Sequence, residues 1–310
     1  MGKRKLLFVV LVLSVAGGSA QNVGLPKEYI EAITPEWKGE RFADGRPKVP
    51  DDLLERAKGL GLEDAWGVLR NKGYHNQYEG DWHVLHDDLK MTGRALTAQY
   101  MPLRPDLDGF IRAQGVKEGR SPQGGTNSWP IDQLVDGDIY VADAYGKIVD
   151  GTLIGDNLGN SIFGKSGRGV VFYGAVRDEE GLSAIDGFNA WVKGSDPSYI
   201  MQMSLVSINA PIRVGRAVVL PGDVVLASRY GVLFIPSHLV GEVVLTAEFT
   251  ALRDEFGHMR LREGKYKPGE IDSAWSEVIK ADFLKWVNSY PGKLPMTKEE
   301  LNNYMKERNW

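Results

Sequence analysis

Residues 155–178 read GDNLGNSIFGKSGRGVVFYGAVRD. Leu158, Ile162 and Phe163, with Leu153 and Ile154 just upstream, lie near helical spacing, so 151–168 reads as a helix interrupted by glycines. The apolar run 169–176 that follows reads as a short buried strand. A helix feeding a buried strand belongs to an α/β fold. The strand then stops at an adjacent cation and anion, Arg177 and Asp178. Neighbours on a strand point to opposite faces, so these two are not expected to pair with each other.

An Arg-Asp dipeptide at a strand end is ordinarily surface charge, but the helix start changes its meaning. A glycine-bearing start exposes backbone N–H groups, which favour anions such as a carboxylate. Helix and strand are expected to bring both segments to one edge of a sheet. Gly155, Asp156, Asn157 and Leu158 would then form an anion cradle, and Arg177 would add a planar cationic fork. Asp178, with Asp156, offers hard oxygen ligands for Mg²⁺, which takes few carboxylates and keeps water. The set suits a 2-oxo acid, whose carboxylate and keto oxygen chelate a metal. A cation there stabilises the enolate formed when a bond to C3 breaks, the chemistry of aldol cleavage or β-decarboxylation.

Outward from this stretch, 21–50 is rich in Pro, Gly and charge and reads as an extended arm, and 50–74 has helical apolar spacing. Residues 93–102 read as a strand, 104–130 as a long loop, and 137–146 as a turn followed by a strand. Further strands are expected at 210–215, 217–227 and 230–236, with a turn at Pro221, Gly222 and Asp223. A long helix is expected over 237–266 with Ser237 as its N-cap, then an amphipathic helix over 271–290 and a polar tail.

Several motifs in this order resemble the RraA-like family, which includes 4-hydroxy-4-methyl-2-oxoglutarate/4-carboxy-4-hydroxy-2-oxoadipate aldolases. The 155–178 stretch is similar to its Gly-Glu/Asp-x-Leu … Val-Arg-Asp signature. GDIYVADAYG (137–146), NAPIRVGRAVVLPGDVV (209–225) and YGVLFIP (230–236) match in order, and the resemblance covers roughly 63–250. It implies a compact β/β/α domain with N- and C-terminal extensions, assembled as a homotrimer or homohexamer. It also implies that Arg177 contacts a pyruvate-like substrate and its enolate. On the same resemblance Asp178 would bind Mg²⁺, Mn²⁺ or another divalent metal. The amides of Gly155, Asp156, Asn157 and Leu158 hold the substrate carboxylate, and Asp156 contacts metal-bound water. Two departures stand out: Ser228 replaces the family's acidic residue in ASRYGV, and Tyr173-Gly174 replaces Asp-Gly. The expected domains are a signal peptide at 1–20, the arm at 21–50, the catalytic domain at 51–250 and a helical extension at 251–310.

The whole chain bounds these readings. Its 310 residues are 43% hydrophobic and 25% charged, an ordinary globular composition, and a net charge of −4 gives no basic excess for nucleic acid. The absence of cysteine excludes disulfides, thiol catalysis and thiolate metal sites. Lys3, Arg4 and Lys5, an apolar run over 6–16, and Gly18, Ser19 and Ala20 read as a cleavable leader. The protein is therefore expected to be periplasmic or secreted, with no stable membrane anchor after cleavage.

Other candidates are weaker. His75, His83 and His86 near Glu79 and Asp81 lack regular ligand spacing and read as pocket lining or surface loop. Lys165 is a formal Schiff-base residue whose helical position suggests exposure. His238 and His258 read as structural. The leading expectation is a metal-dependent lyase for a 2-oxo acid, including acids derived from sugars. The alternatives are a periplasmic lyase or hydrolase for oxidised carbohydrates and a non-catalytic oligomeric binding protein.

Overall fold

The expected α/β architecture is built around a nine-stranded mixed sheet. The computed structural model describes residues 22–290, 292–308 and 310; the expected leader at 1–20 lies outside them. The chain begins with α1 (Lys27–Ile33), α2 (Asp51–Lys58), α3 (Leu62–Asn71), β1 (Tyr78–Glu79), β2 (His83–Val84) and β3 (Met91–Pro102). It continues with α4 (Pro105–Lys117), α5 (Trp129–Asp132), β4 (Asp138–Asp143), α6 (Asp156–Ser166), β5 (Val170–Val176), α7 (Glu179–Ser183), β6 (Ala190–Ser195) and β7 (Met203–Ile208). Then follow β8 (Ile212–Val214), β9 (Ala217–Val219), β10 (Val224–Ser228), β11 (Gly231–Ile235), α8 (Val240–Arg262), α9 (Pro268–Ile271), α10 (Glu277–Asn288) and α11 (Lys298–Glu307).

The strand order is β1-β11-β10-β3-β4-β5-β6-β2, and β7 pairs with β3 off this path. Strands β3 to β6 run parallel, with antiparallel partners on either side. β1 and β2 stand at opposite ends of that order, yet only residues 80–82 separate them. The four Cα–Cα steps from Glu79 to His83 reach at most about 14 Å, so the sheet must curl to bring its two edges near each other. Period-two alternation then sorts side chains into an inside and an outside. Ala95, Ile139, Val141, Val171, Trp191, Val225 and Phe234 fill the interior, with Ile212 and Val214 of the β8–β9 hairpin. On the outer face, Leu96, Tyr140 and Phe172 pack beneath α4 to α7, and Val224, Leu226, Leu233 and Ile235 beneath α2, α3 and α8.

Four expectations are corrected, and one stretch that carried none proves structured. The arm is not merely extended: Ile30 of α1 is buried, and the Arg46 guanidinium reaches the Asp138 carboxylate at 2.9 Å inside the fold. Much of the 104–130 loop is α4, begun by Pro105 with Asp106 and Asp108 in its first turn, a start signal that its glycines obscured. Ser237 caps no helix; it opens a 3-10 turn, and α8 begins at Val240. The polar tail folds as α11, started by a Thr297–Glu300 capping box and holding Leu301 and Tyr304 in a core with Phe249, Phe256 and Phe283. Residues 179–209, which carry no strong periodic signal, supply α7, β6 and β7. None of the described helices is long and apolar enough to cross a membrane.

Candidate active site

The site forms where β5 ends. Leu153 donates its N–H to Ala175 O at 2.9 Å, and Arg177 donates its N–H to Ile154 O at 2.9 Å. These bonds bind the segment entering α6 to the end of β5, so Gly155 sits against Arg177. The meeting point is not the expected sheet edge: β5 lies between β4 and β6, and the site is at its carboxyl end. The carboxyl end of parallel strands is where α/β sheets, open or closed, place ligands.

Gly155 is the N-cap of α6, and having no side chain it leaves the helix start uncapped. Asn157 N–H is taken by Asp156 Oδ1 at 2.8 Å. Among the described residues the N–H groups of Asp156 and Leu158 meet no protein acceptor, which leaves them for an anion. A cavity of about 310 Å³ opens here, lined by Gly155, Asn157, Leu158 and Arg177 together with Thr152 and Tyr199. A Cβ at position 155 would collide with the Asp178 carboxylate and crowd the Arg177 guanidinium. A side chain at 155 would therefore push these two groups out of their places.

Asp178 leaves the strand in the left-handed region, φ 54°, and caps α7. This bend overturns the expectation that the two charges stay apart, since strand alternation no longer applies beyond Val176. Arg177 Nη1 and Asp178 Oδ2 lie 2.9 Å apart, both side chains partly exposed. Asp156 and Asp178 line one open groove beside the cavity, joined there by Glu179 and Glu180. The left-handed residue costs roughly 1–2 kcal/mol, a strain that Asp tolerates better than most and that clusters at functional sites.

Sequence reasoning missed Glu179. His83 Nε2 approaches its Oε1 at 2.6 Å, and hydrogen bonds from Ser195 and His83 hold its carboxyl below the usual carboxylate range. It also missed Asn127, whose Nδ2 donates to Leu153 O and which, with Gly125, brings the 104–130 segment to the cavity wall. The adjacent Asp-Glu-Glu of 178–180 was a legible signal for the first; nothing in the sequence marked the second.

The remaining candidates separate. Glu79 pairs with Lys193 and Arg216, His75 lines a different pocket, and no group of three or more His, Cys, Asp or Glu able to hold a metal occurs among the described residues. Lys165 lies at the surface near Asp132 at 3.8 Å. His238 meets the Tyr74 hydroxyl at 3.2 Å. Ser228 accepts Tyr230 N–H on its hydroxyl at 3.2 Å, a turn contact that the family's acidic residue could equally make. Tyr173 meets Trp82 edge-on at 6.4 Å, with Lys193 5.2 Å from its ring.

A family model described as RraA-like, Aldolase/RraA, matches residues 52–234. The chain belongs to the RraA-like family. RraAS2 of Streptomyces coelicolor, an unusual member of the RNase ES inhibitor RraA protein family, superposes with a TM-score of 0.59 at 26% identity. That match covers 69% of this chain and 100% of the other. Protein DlpA of Legionella pneumophila is 27% identical over 172 residues, 52% of this chain and 24% of DlpA. A "Putative 4-hydroxy-4-methyl-2-oxoglutarate aldolase" of Alcanivorax borkumensis is 30% identical over 104 residues, 34% of this chain and 64% of that protein. The chain thus spans less than two thirds of either curated relative. The RraA-like match includes every residue of the site built above.

Proposed function

We propose that this protein is a divalent-metal-dependent lyase that cleaves a 2-oxo acid through a pyruvate enolate, by retro-aldol cleavage or β-decarboxylation. The observation that carries the reading is the convergence of Arg177 and the uncapped start of α6 on one cavity. The free N–H groups of Asp156 and Leu158 hold the substrate carboxylate. The Arg177 guanidinium donates to the keto oxygen as it gathers enolate charge, where a fixed cation is worth more than in the ground state.

The donor chemistry of the groove fits a hard cation. Asp178 and Asp156 both present carboxylates to it, and Mg²⁺ or Mn²⁺ needs only one or two with water completing the shell. Bound there, the cation supplies Lewis-acid stabilisation of the enolate. The Arg177–Asp178 pair holds each side chain at the junction of cavity and groove. Acids derived from sugars are within the proposed substrate class. The reading also carries a homotrimer or homohexamer, as the resemblance implies, and a periplasmic or secreted location if the stretch 1–20 acts as the expected leader.

The test is pyruvate release from 4-hydroxy-4-methyl-2-oxoglutarate and from oxaloacetate, with Mg²⁺ or Mn²⁺ and with EDTA. Release should need the metal and fall by at least about 100-fold in Arg177→Ala, the scale for loss of a donor to a developing oxyanion. Asp178→Ala should abolish the metal response while the protein stays folded. A second reading, a non-catalytic binding protein on the same scaffold, draws on the likeness to RraAS2, which spans all of that chain and 69% of this one. Folded, metal-supplied protein that releases no pyruvate from either acid would favour it.

A further inference from the structure

The cavity of about 310 Å³ has two unlike parts. Arg177 and the start of α6 form the part that takes the 2-oxo acid head. Arg177 is also the one charged side chain lining the cavity. The other part is apolar. Leu158 and Ile200 line it, both half-buried against the core beneath α4 to α7. Tyr199 stands beside them, 61% exposed, and among the described residues no other ring or cation stacks on it. The loop that carries it is pinned. Asp150 N–H donates to Ser198 Oγ at 2.7 Å, the Thr152 hydroxyl donates to Ser198 O, and Met201 N–H donates to Asp150 O at 3.0 Å.

A second carboxylate on the substrate would enter this apolar part without a cation to meet it. The Thr152 hydroxyl is already donated to Ser198 O, and the Asn127 amide to Leu153 O. Asn157 and the Tyr199 hydroxyl remain, neutral groups that leave a buried charge uncompensated. Asp156, Asp178, Glu179 and Glu180 line the adjoining groove, so the local field also opposes a further anion. An apolar group would instead take the Leu158, Ile200 and Tyr199 surfaces out of water.

We infer that the preferred substrate is a monocarboxylic 4-hydroxy-2-oxo acid with an aryl group on C4, selected by Leu158, Tyr199 and Ile200. The inference rests on the lyase reading and narrows it. Cleavage breaks the C3–C4 bond. The C4 hydroxyl gives up its proton, and its oxygen becomes the carbonyl of an aryl aldehyde. The C3–C4 electron pair passes into the enolate beside Arg177, and a proton added at C3 yields pyruvate. One proton is lost and one gained, so no co-reactant is needed.

The experiment compares kcat/KM for pyruvate release from 4-hydroxy-2-oxo-4-phenylbutanoate, 4-hydroxy-4-methyl-2-oxoglutarate and oxaloacetate, each with Mg²⁺ and above the protein-free rate. The phenyl acid should exceed both dicarboxylates by about tenfold or more, within the range that pocket contacts supply, and release benzaldehyde in equal amount. Tyr199→Arg places the missing cation on an exposed position and should lower the phenyl-to-dicarboxylate ratio by about tenfold or more. The ratio reads specificity even where the overall rate changes. A dicarboxylate cleaved as well as the phenyl acid would overturn the inference and leave the lyase reading standing. An unchanged ratio in Tyr199→Arg would overturn the role given to this wall. No pyruvate from any of the three acids would overturn both the inference and the lyase reading.

Discussion

At the scale of single residues, the site depends on a side chain that is missing. Gly155 lets the Asp178 carboxylate and Arg177 guanidinium close over the helix start, and any Cβ there meets both. Gly155→Ala should therefore refold at a cost of about 1 kcal/mol or less, since the groups its Cβ meets are the ends of partly exposed side chains that can swing aside. Pyruvate release should fall far more than stability, because the collision displaces the two groups proposed to act. Far-UV circular dichroism and urea unfolding beside the pyruvate assay would separate the two losses. Unchanged turnover in a folded Gly155→Ala protein would detach this corner from the chemistry. Arg177, Asp178, Gly155 and Asp156 were all legible as candidates in the sequence, since charge and glycine at a strand–helix junction carry meaning without coordinates. The pairing of Arg177 with Asp178 was not, since it depends on the left-handed backbone at 178.

At the scale of elements, the turn at Pro221, Gly222 and Asp223 carries a buried acid. Asp223 Oδ2 accepts the N–H of Leu220 at 2.8 Å, yet burial pushes its carboxyl up to about 7. An unfolded aspartate titrates near about 3.9, so between those values the folded state keeps a proton that the unfolded chain releases. Stability from this group is present below the lower value and is lost as pH rises through the upper one. Asp223→Asn cannot ionise, so relative to wild type it should gain stability as pH is raised from 4 to 8. Urea midpoints at both pH values check this, and parallel pH profiles for the two proteins would contradict it. The turn itself was legible from Pro-Gly-Asp; the burial was not. The same contrast holds for α4 and α11. α11 carries a capping box, but its apolar positions are sparse, and it folds because Leu301 and Tyr304 find the aromatic cluster of α8 and α10.

At the scale of the molecule, the arm, the curled sheet and the helical extension are tied together by a few buried charges. Arg46, 1% exposed, reaches Asp138 at 2.9 Å and Asp44 at 2.7 Å, while Arg94 anchors Asp51 of α2 at 2.6 Å. Arg46→Ala would leave the buried Asp138 carboxylate with only Arg94 at 3.7 Å and the Val135 N–H, and should cost about 3 kcal/mol. Chemical denaturation measures it. A loss below 1 kcal/mol would show that the arm contributes little to holding the sheet. On the opposite side, Arg56 of α2 pairs with Glu248 at 2.6 Å and with Glu300 at 2.9 Å, linking the family domain to α8 and α11.

The sequence by itself determined the α/β class, the central strands, the long α8 region and, within the candidate site, the segment from Gly155 to Leu158 with Arg177 and Asp178. Those features rest on local periodicity, on glycine and proline at turns, and on ordered motifs, all of which are written along the chain. Only the tertiary structure decided that the sheet closes on itself, that β5 is an interior strand, and that the arm and tail are folded. These outcomes depend on contacts between residues far apart in the chain, such as Trp191 Nε1 with Ser228 O at 2.8 Å across the sheet interior, and no local pattern records them.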